Sequence, residues 1–405
     1  RAKRRFDSIP VLQRMTDDEV ANFAVLRPFF PGVEIRARLT RRYPYGVYAS
    51  HALGYVGGIS AKDQESIDPA AYAGSTLIGK ASLERSYEEE LHGNVGHQNV
   101  QVNVHGRMMQ VLDSELSTPG KDLILSIDID TQIAAETALE GKRGAVVAID
   151  PRNGEILVFA SVPGFDPNLF IKGLSNREYQ DLQNDPDQPL FNRALQGKYP
   201  PGSTIKPIVA LAGLEQNAVS ATDRRFCPGA YSLPGHSHRY RDWKAGGHGS
   251  VNMHDAIAQS CDTYFYDLAN KIGIDAMASA LKSFGLGNAT GVDIQPESAG
   301  LVPSKEWKRG AFAESANQVW FPGETVITGI GQGYLLVTPL QLASATATIA
   351  SRGVRHKPYL VRGLHDPATG ITALRETDAL DPVQVSKQEH WDAIIDGMVG
   401  VITDP

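Results

Sequence analysis

The chain has 405 residues, 42% of them hydrophobic and 21% charged, an ordinary globular make-up that supports more than one core and for which disorder is not the default. Its net charge of -7 argues against a nucleic-acid binder, because neutralising phosphates takes a clustered basic surface. The only dense basic run is residues 1–5, with Arg41 and Arg42 further on, and such runs are usually solvated faces.

No stretch approaches the roughly 20 apolar residues of a membrane-spanning helix. The sequence opens on Arg1-Ala2-Lys3, so the expectation is a trimmed ectodomain whose signal or anchor segment lies outside it. Thr16-Asp17-Asp18-Glu19 precedes a helical pattern through Val20, Phe23 and Val25, where Thr16 caps the exposed N–H groups. The first hundred or so residues otherwise alternate β-branched positions, as at Val100, Val102 and Val104, with turns such as Pro44-Tyr45-Gly46. That pattern predicts strands with short helices. A break falls at Ser117-Thr118-Pro119-Gly120; beyond it residues 123–128 read as a strand and 130–140 as a helix capped by Asp130.

Residues 144–149 and 155–161 are apolar runs joined by Asp150-Pro151-Arg152-Asn153-Gly154, whose Asn-Gly and Pro predict an antiparallel hairpin. Helical patterns follow at 204–217, 253–271 and 275–284, interrupted by a polar, Gly- and His-rich segment at 226–249. The simplest assembly is α+β, an antiparallel sheet flanked by helices.

Pro200-Pro201-Gly202 stops any preceding element, and Ser203-Thr204-Ile205-Lys206 opens a helix continuing through Val209, Leu211 and Leu214. Three-residue spacing brings Ser203 and Lys206 to one face, and the positive end of the helix eases negative charge on the serine oxygen. The pair therefore reads as a nucleophile with its base, provided that burial or neighbouring charge lets the lysine give up its proton. Alone, S-x-x-K is weak, since it also describes a Ser N-cap followed by a surface lysine. Fifty-seven residues on, Ser260-Cys261-Asp262 heads another helical stretch. The glycines of Gly329-Ile330-Gly331-Gln332-Gly333 lack a following G-K-[ST], which argues against a phosphate loop and for a strand packed beside a cleft.

With Pro-Pro-Gly-Ser-Thr-Ile-Lys-Pro at 200–207, Ser260-Cys261-Asp262 and the glycines from Gly329 to Gly333, the sequence resembles the penicillin-binding protein and serine β-lactamase superfamily. Asn192-Arg193-Ala194, Tyr240-Arg241-Asp242-Trp243 and Thr338-Pro339-Leu340-Gln341 look like the class B penicillin-binding proteins, most of all the penicillin-binding protein 2 branch of rod-shaped Gram-negative cells. Residues 42–46, 51–57 and 79–93, with Leu83-Glu84-Arg85-Ser86-Tyr87-Glu88, look like that family's pedestal domain.

The resemblance implies an elongated N-terminal pedestal at residues 1–118 and a transpeptidase domain at 119–405, α+β and serine β-lactamase-like. It implies a peptidoglycan DD-transpeptidase, with stem peptides as substrates and β-lactams as trapped acylating agents. Ser203 is then the acylated nucleophile, Lys206 its base, Ser260 a proton relay and Asp262 the third member, where most of the superfamily has Asn. A carboxylate there opposes base function unless other groups compensate, so its role stays open. The family's K-[ST]-G strand is not found in the sequence; residues 391–403 look like the helix that precedes it, so the covered region is expected to end shortly before. Partners implied are a RodA-type glycan polymerase and MreC, at the periplasmic face of the inner membrane behind a single N-terminal anchor. The same nucleophile also serves a DD-carboxypeptidase or β-lactamase, in which water takes the acyl group, and a non-catalytic cell-wall scaffold is the rival from another class.

Cys227 and Cys261 are the only thiols, with His236, His238, Asp242 and His248 between them. An oxidising compartment makes a disulfide the plain expectation for an even pair. Against it, Cys261 lies inside the Ser260 motif, and Asp242 and His248 flank a Gly-rich turn short enough to bring both to it. A tetrahedral zinc site of Cys227, Asp242, His248 and Cys261 ties that loop to the Ser260 helix; His236 and His238 are alternative ligands, and free thiols a third outcome. Tyr240, Trp243 and Trp307 read as core aromatics in preference to groove-lining ones.

Overall fold

A computed structural model of the chain describes residues 11–12, 15–37, 39–104 and 108–404; the basic run at residues 1–5 lies outside them. Thr16 accepts a hydrogen bond from the Glu19 backbone N–H while the Glu19 carboxylate takes one from Thr16, closing a capping box on the helix Asp17–Leu26. None of that helix is buried. The β-branched alternation at Val100 and Val102 does give a strand, His97–Val102, paired antiparallel with Met108–Glu115. Its ribbon is bare, with Val100, Val102, Met109, Val111 and Leu112 all exposed: the period is that of a strand, yet no second layer covers it among the described residues.

Past the break at Ser117 to Gly120, Asp122–Leu125 is the edge of a three-stranded antiparallel sheet with Val361–Asp366 at its centre and Ile371–Leu374 outermost. The next helix is Ile129–Ala138 and its cap is Asp128, whose carboxylate accepts from Thr131 N–H at 2.8 Å. The expected cap, Asp130, instead sits in the first turn, where its charge complements the helix dipole. Gly144–Ile149 and Ile156–Val162 form the expected antiparallel hairpin.

The expected helix at 204–217 is two pieces, a 3-10 turn Gly202–Ile205 and an α-helix Lys206–Glu215 buried from Lys206 through Leu214. A helix apolar on every side is a core element, and this one centres the largest hydrophobic cluster, with Phe265, Leu268, Met277 and Trp391 around it. The pattern at 253–271 is likewise split. Met253–Ala258 ends, Ser260 adopts a left-handed φ of 54°, and a new helix Asp262–Ser283 begins, bent at Gly273. The expected strand at Gly329 to Gly333 is absent among the described residues. Those glycines form the turn after the helix Pro322–Thr328, and Gly331 receives a hydrogen bond on its carbonyl from Gly202 N–H at 2.9 Å.

A second hydrophobic cluster joins Ala52 and Leu83 of the N-terminal region to Ile156, Phe159, Leu195 and Leu360. Asn192 Nδ2 donates to His51 O at 3.1 Å, Ala49 N–H to Glu136 at 2.9 Å, and Tyr87 O–H to Asp293 at 2.9 Å. Pedestal and sheet domain are therefore packed over shared apolar surface, in an α+β architecture.

Candidate active site

Two prolines and a glycine set Ser203 in place. Pro200-Pro201 brings the chain in extended, Gly202 turns with φ of 61°, and the 3-10 turn presents Ser203 exposed at the start of a buried helix. Gly331 faces it so closely that a Cβ there would lie 2.0 Å from Gly202 O. The Ser203 hydroxyl makes no hydrogen bond among the described residues.

One turn on, Lys206 is 2% exposed, and its ammonium is saturated. Nζ donates to Ser260 O at 2.9 Å, Ser260 Oγ at 3.0 Å and Asp262 Oδ1 at 2.6 Å, and lies 5.3 Å from the centre of the Phe265 ring. The structure thus brings Lys206, Ser260 and Asp262 into direct contact, with Ser203 on the next turn but not bonded to the lysine. A buried ion pair of this kind persists where further hydrogen bonds satisfy both partners. Here Asp262 Oδ2 accepts from Trp243 N–H at 3.2 Å. The left-handed turn at Ser260 is what points both its carbonyl and its hydroxyl at the amine, a strained conformation of the kind that clusters at functional sites.

Trp243 corrects the reading of it as core. It is 66% exposed, and its indole N–H donates to Ser260 O at 3.1 Å and Gln259 O at 3.2 Å. It roofs the Ser260 turn from the solvent side. Tyr240 and Trp307 are half-buried, Tyr240 against the main core and Trp307 tilted against Tyr334 and edge-on to Phe312.

Beneath Trp243, the donor atoms of Cys227, Asp242, His248 and Cys261 all lie within 4.8 Å of one another. Asp242 Oδ2 is 3.5 Å from Cys227 Sγ and 3.6 Å from Cys261 Sγ, and Asp242 Oδ1 is 3.1 Å from His248 Nε2. Strand pairing between Gly249–Val251 and Arg225–Cys227 brings Cys227 and His248 together, and the Asp262–Ser283 helix supplies Cys261 as its N-cap. The thiols are free and buried. His236 and His238 are exposed and outside the cluster. Burial raises the Asp242 carboxyl, but hydrogen bonds from Thr263 and Lys244 N–H and from His248 outweigh it and hold it below the usual range. Burial, with Cys227 beside it, pushes the Cys261 thiol far up, so without a cation it stays protonated. Two sulfurs, an imidazole and a carboxylate at these separations suit a tetrahedral divalent cation, zinc above all. Gln259 Oε1, 3.2 Å from His248 Nδ1, is the outer partner that fixes which ring nitrogen faces the cluster.

Comparison with known proteins sets these features in a family. Residues 144–405 match the penicillin binding protein transpeptidase domain and residues 1–125 the penicillin-binding protein dimerisation domain. The chain belongs to the penicillin-binding proteins, and its two-domain order is that of class B. Within them it is similar to the peptidoglycan D,D-transpeptidase MrdA of Acinetobacter baumannii, 46% identical over 98% of this chain and 58% of the relative, and of Escherichia coli K12, 40% over 99% and 63%. The chain thus spans about three-fifths of the length of these curated relatives. Among solved structures it is similar to Pseudomonas aeruginosa penicillin-binding protein 2 in complex with WCK 5153, with TM-score 0.78 and 42% identity over 90% of this chain and 74% of that one. It is also similar to the Helicobacter pylori complex between penicillin-binding protein 2 and MreC, with TM-score 0.85 and 33% identity over 96% and 69%.

Proposed function

We propose that this chain carries the pedestal and the catalytic serine of a peptidoglycan DD-transpeptidase. The observation that carries the reading is the buried Lys206 amine, held between Ser260 Oγ and Asp262 one turn behind the exposed hydroxyl of Ser203. Lys206, once it has passed a proton to the Asp262 carboxylate that it touches, takes the Ser203 proton as Oγ attacks the carbonyl of the penultimate D-alanine of a stem peptide. The Oγ–C bond forms, the C–N bond to the last D-alanine breaks, and Ser260 relays the proton to the departing amine. An amine of a neighbouring stem peptide then attacks the ester, forming the cross-link and returning the proton to Ser203. The Ser203 backbone N–H stabilises the oxyanion. A β-lactam enters by the same attack and stays as an acyl-enzyme.

The test is mass spectrometry after incubation with a penicillin: one adduct on the native chain, none on Ser203→Ala, and an adduct that persists. Rapid turnover of the penicillin favours the hydrolase reading instead, and no adduct at all favours the scaffold.

Relatives of this fold occur in a complex with MreC and in a peptidoglycan synthase complex that coordinates polymerization and crosslinking. We extend that to the pedestal here, with MreC and a RodA-type polymerase as partners at the periplasmic face of the inner membrane. Substitutions on the bare ribbon of Val102 and Leu112 should then weaken polymerase activation and leave Ser203 acylation intact; equal loss of both refutes the division. Cys227, Asp242, His248 and Cys261 hold a structural zinc in this reading, joining the 226–249 loop to the Ser260 helix. Elemental analysis should find about one equivalent per chain; a Cys227–Cys261 disulfide without metal ends the idea.

A further inference from the structure

The seam between the pedestal and the catalytic domain holds an open cavity of about 590 Å³. That size lies within the range of about 300–1,000 Å³ typical of small-ligand sites. One wall is pedestal, with Ser50, His51, Tyr55 and Ser82; the other is the catalytic domain's 165–196 segment with Gln295 and Pro296.

Its chemistry is electroneutral. Among the described residues no Asp, Glu, Lys or Arg lines it. The single titratable base, His51, is buried, with Nε2 3.4 Å from Pro163 O, and burial holds its pKa down at about 4, so the wall carries no charge at neutral pH. In place of charge there are amides. The side chains of Gln183, Gln188 and Gln196 line the cavity and make no hydrogen bond to the protein among the described residues. Gln188 is held in a left-handed conformation, φ 48°, fixed by its carbonyl accepting from Arg193 at 3.1 Å. Beside the amides stand half-exposed rings. Tyr179 shares a face of the helix Asn176–Asn184 with Gln183, four residues on, and Phe191 is a further lining ring, with the Arg193 guanidinium 5.8 Å from its centre.

An amide offers a donor and an acceptor on one rigid group, which suits vicinal hydroxyls and an acetamido group. An aromatic ring offers a flat apolar face, which suits the C–H face of a pyranose. A charged ligand meets no charged side chain in the lining, the Arg193 guanidinium behind Phe191 being turned to the carbonyls of Asp187, Gln188 and Phe191, and it loses its hydration on entry, which disfavours phosphates, free carboxylates and ammonium groups. We propose that this seam cavity is a saccharide site that takes an uncharged, N-acetylated sugar segment. That the sugar belongs to the glycan strand bearing the stem peptides rests on the function proposed above; the saccharide site itself rests on the cavity alone. Because pedestal and catalytic domain each supply a wall, a bound sugar holds the two together.

The experiment is a titration of the chain with the trimer of N-acetylglucosamine, read by saturation-transfer NMR and calorimetry, beside a glucose trimer and a galacturonate trimer. The N-acetylated trimer should bind at millimolar strength or better, the glucose trimer at least about tenfold more weakly, and the anionic trimer not at all. Gln183→Ala/Gln188→Ala and, separately, Tyr179→Ala should each weaken binding by at least about tenfold, with melting temperature and penicillin acylation of Ser203 unchanged. No binding at about 10 mM, binding that neither variant alters, or competition by a D-alanyl-D-alanine peptide overturns the site. Acylation without sugar binding sinks this inference and leaves the proposed function standing; sugar binding without acylation does the reverse.

Discussion

Lys206 is buried with three acceptors around it, and the energetics of the site follow from that. Removing the Asp262 carboxylate leaves an ammonium in the core with no counter-charge, only the Ser260 oxygens and the Phe265 ring beside it. Breaking one side of a buried pair typically costs about 3–5 kcal/mol, so Asp262→Ala should lose stability of that order in chemical denaturation. In the proposed reaction penicillin acylation should then slow on the order of a hundredfold, since the amine assigned to take the Ser203 proton is no longer positioned. Near-native stability together with a near-native rate would show that the pair is incidental. Ser203 and Lys206 were legible in the sequence because one helical turn separates them and the prolines and glycine before them fix where the turn begins. The role of Trp243 was not. An aromatic after Arg241-Asp242 carries no local mark of exposure, and its contacts with Ser260 and Asp262 arise only when the loop folds back over a helix seventeen to nineteen residues later. The four thiol-cluster residues lay between those extremes: their grouping was readable from the Gly-rich turn and the Ser260 motif, and the donor atoms do converge, while the strand pairing that brings Cys227 beside His248 had no mark in the sequence.

At the scale of elements, the nucleophile turn is braced by another turn, not by a strand. The run Gly329 to Gly333 has the composition of a close backbone approach, which sequence reading placed in a strand; the glycines are there because Gly331, at φ of 75°, presses on Gly202. Gly331→Ala adds a Cβ 2.0 Å from a backbone oxygen, at a φ that disfavours any side chain. The turn bearing Ser203 must move, so acylation should fall by at least about tenfold, because small displacements of a reacting group are costly. Gly310→Ala is the matched control: it lies in the helix Lys305–Ala311 with open space around its Cβ position, and should be neutral or more stable by up to about 1 kcal/mol. If both variants acylate at the native rate, the bracing has no bearing on the nucleophile. Two other elements show the same limit of sequence reading. A helix start rich in Asp leaves the choice between Asp128 and Asp130 to backbone conformation. The break at Ser260 has no Gly or Pro to announce it, since the turn is held by the Lys206 contacts.

For the whole molecule, the seam between pedestal and catalytic domain is a hydrogen-bonded joint as well as an apolar one, and His51 lies in it. Its backbone carbonyl accepts from Ser82 Oγ at 2.7 Å and Asn192 Nδ2 at 3.1 Å, and its ring meets Phe165 edge-on at 5.3 Å. Burial first, with the Arg193 charge adding to it, outweighs the carbonyls of Pro163 and Pro189 and lowers the ring from the ordinary 6.5 to about 4. The unfolded chain therefore binds this proton before the folded one does. Stability from the neutral ring is fully present above the ordinary value and is lost as the pH falls towards 4. A tenfold difference in proton affinity between the folded and unfolded chain is worth about 1.4 kcal/mol, so between about pH 7 and about pH 4.5 the loss is about 2–3 kcal/mol. Some other groups fall outside that window or oppose it, and Glu155, held down by Arg362, begins to lose stability in the same direction at its acid end. The Arg152 guanidinium holds Asp150 at about 2, so its contribution disappears only at more acid pH. His254, raised by Asp404 and Asp396, gains stability as the pH falls. Denaturation of the native chain and of His51→Gln at the two pH values isolates the ring, because every other titrating group is common to both. The native chain should lose about 2–3 kcal/mol more than the variant on acidification, and the two domains should become more easily separated by protease at the seam. Equal losses would mean that water reaches the His51 ring in the folded protein despite its burial.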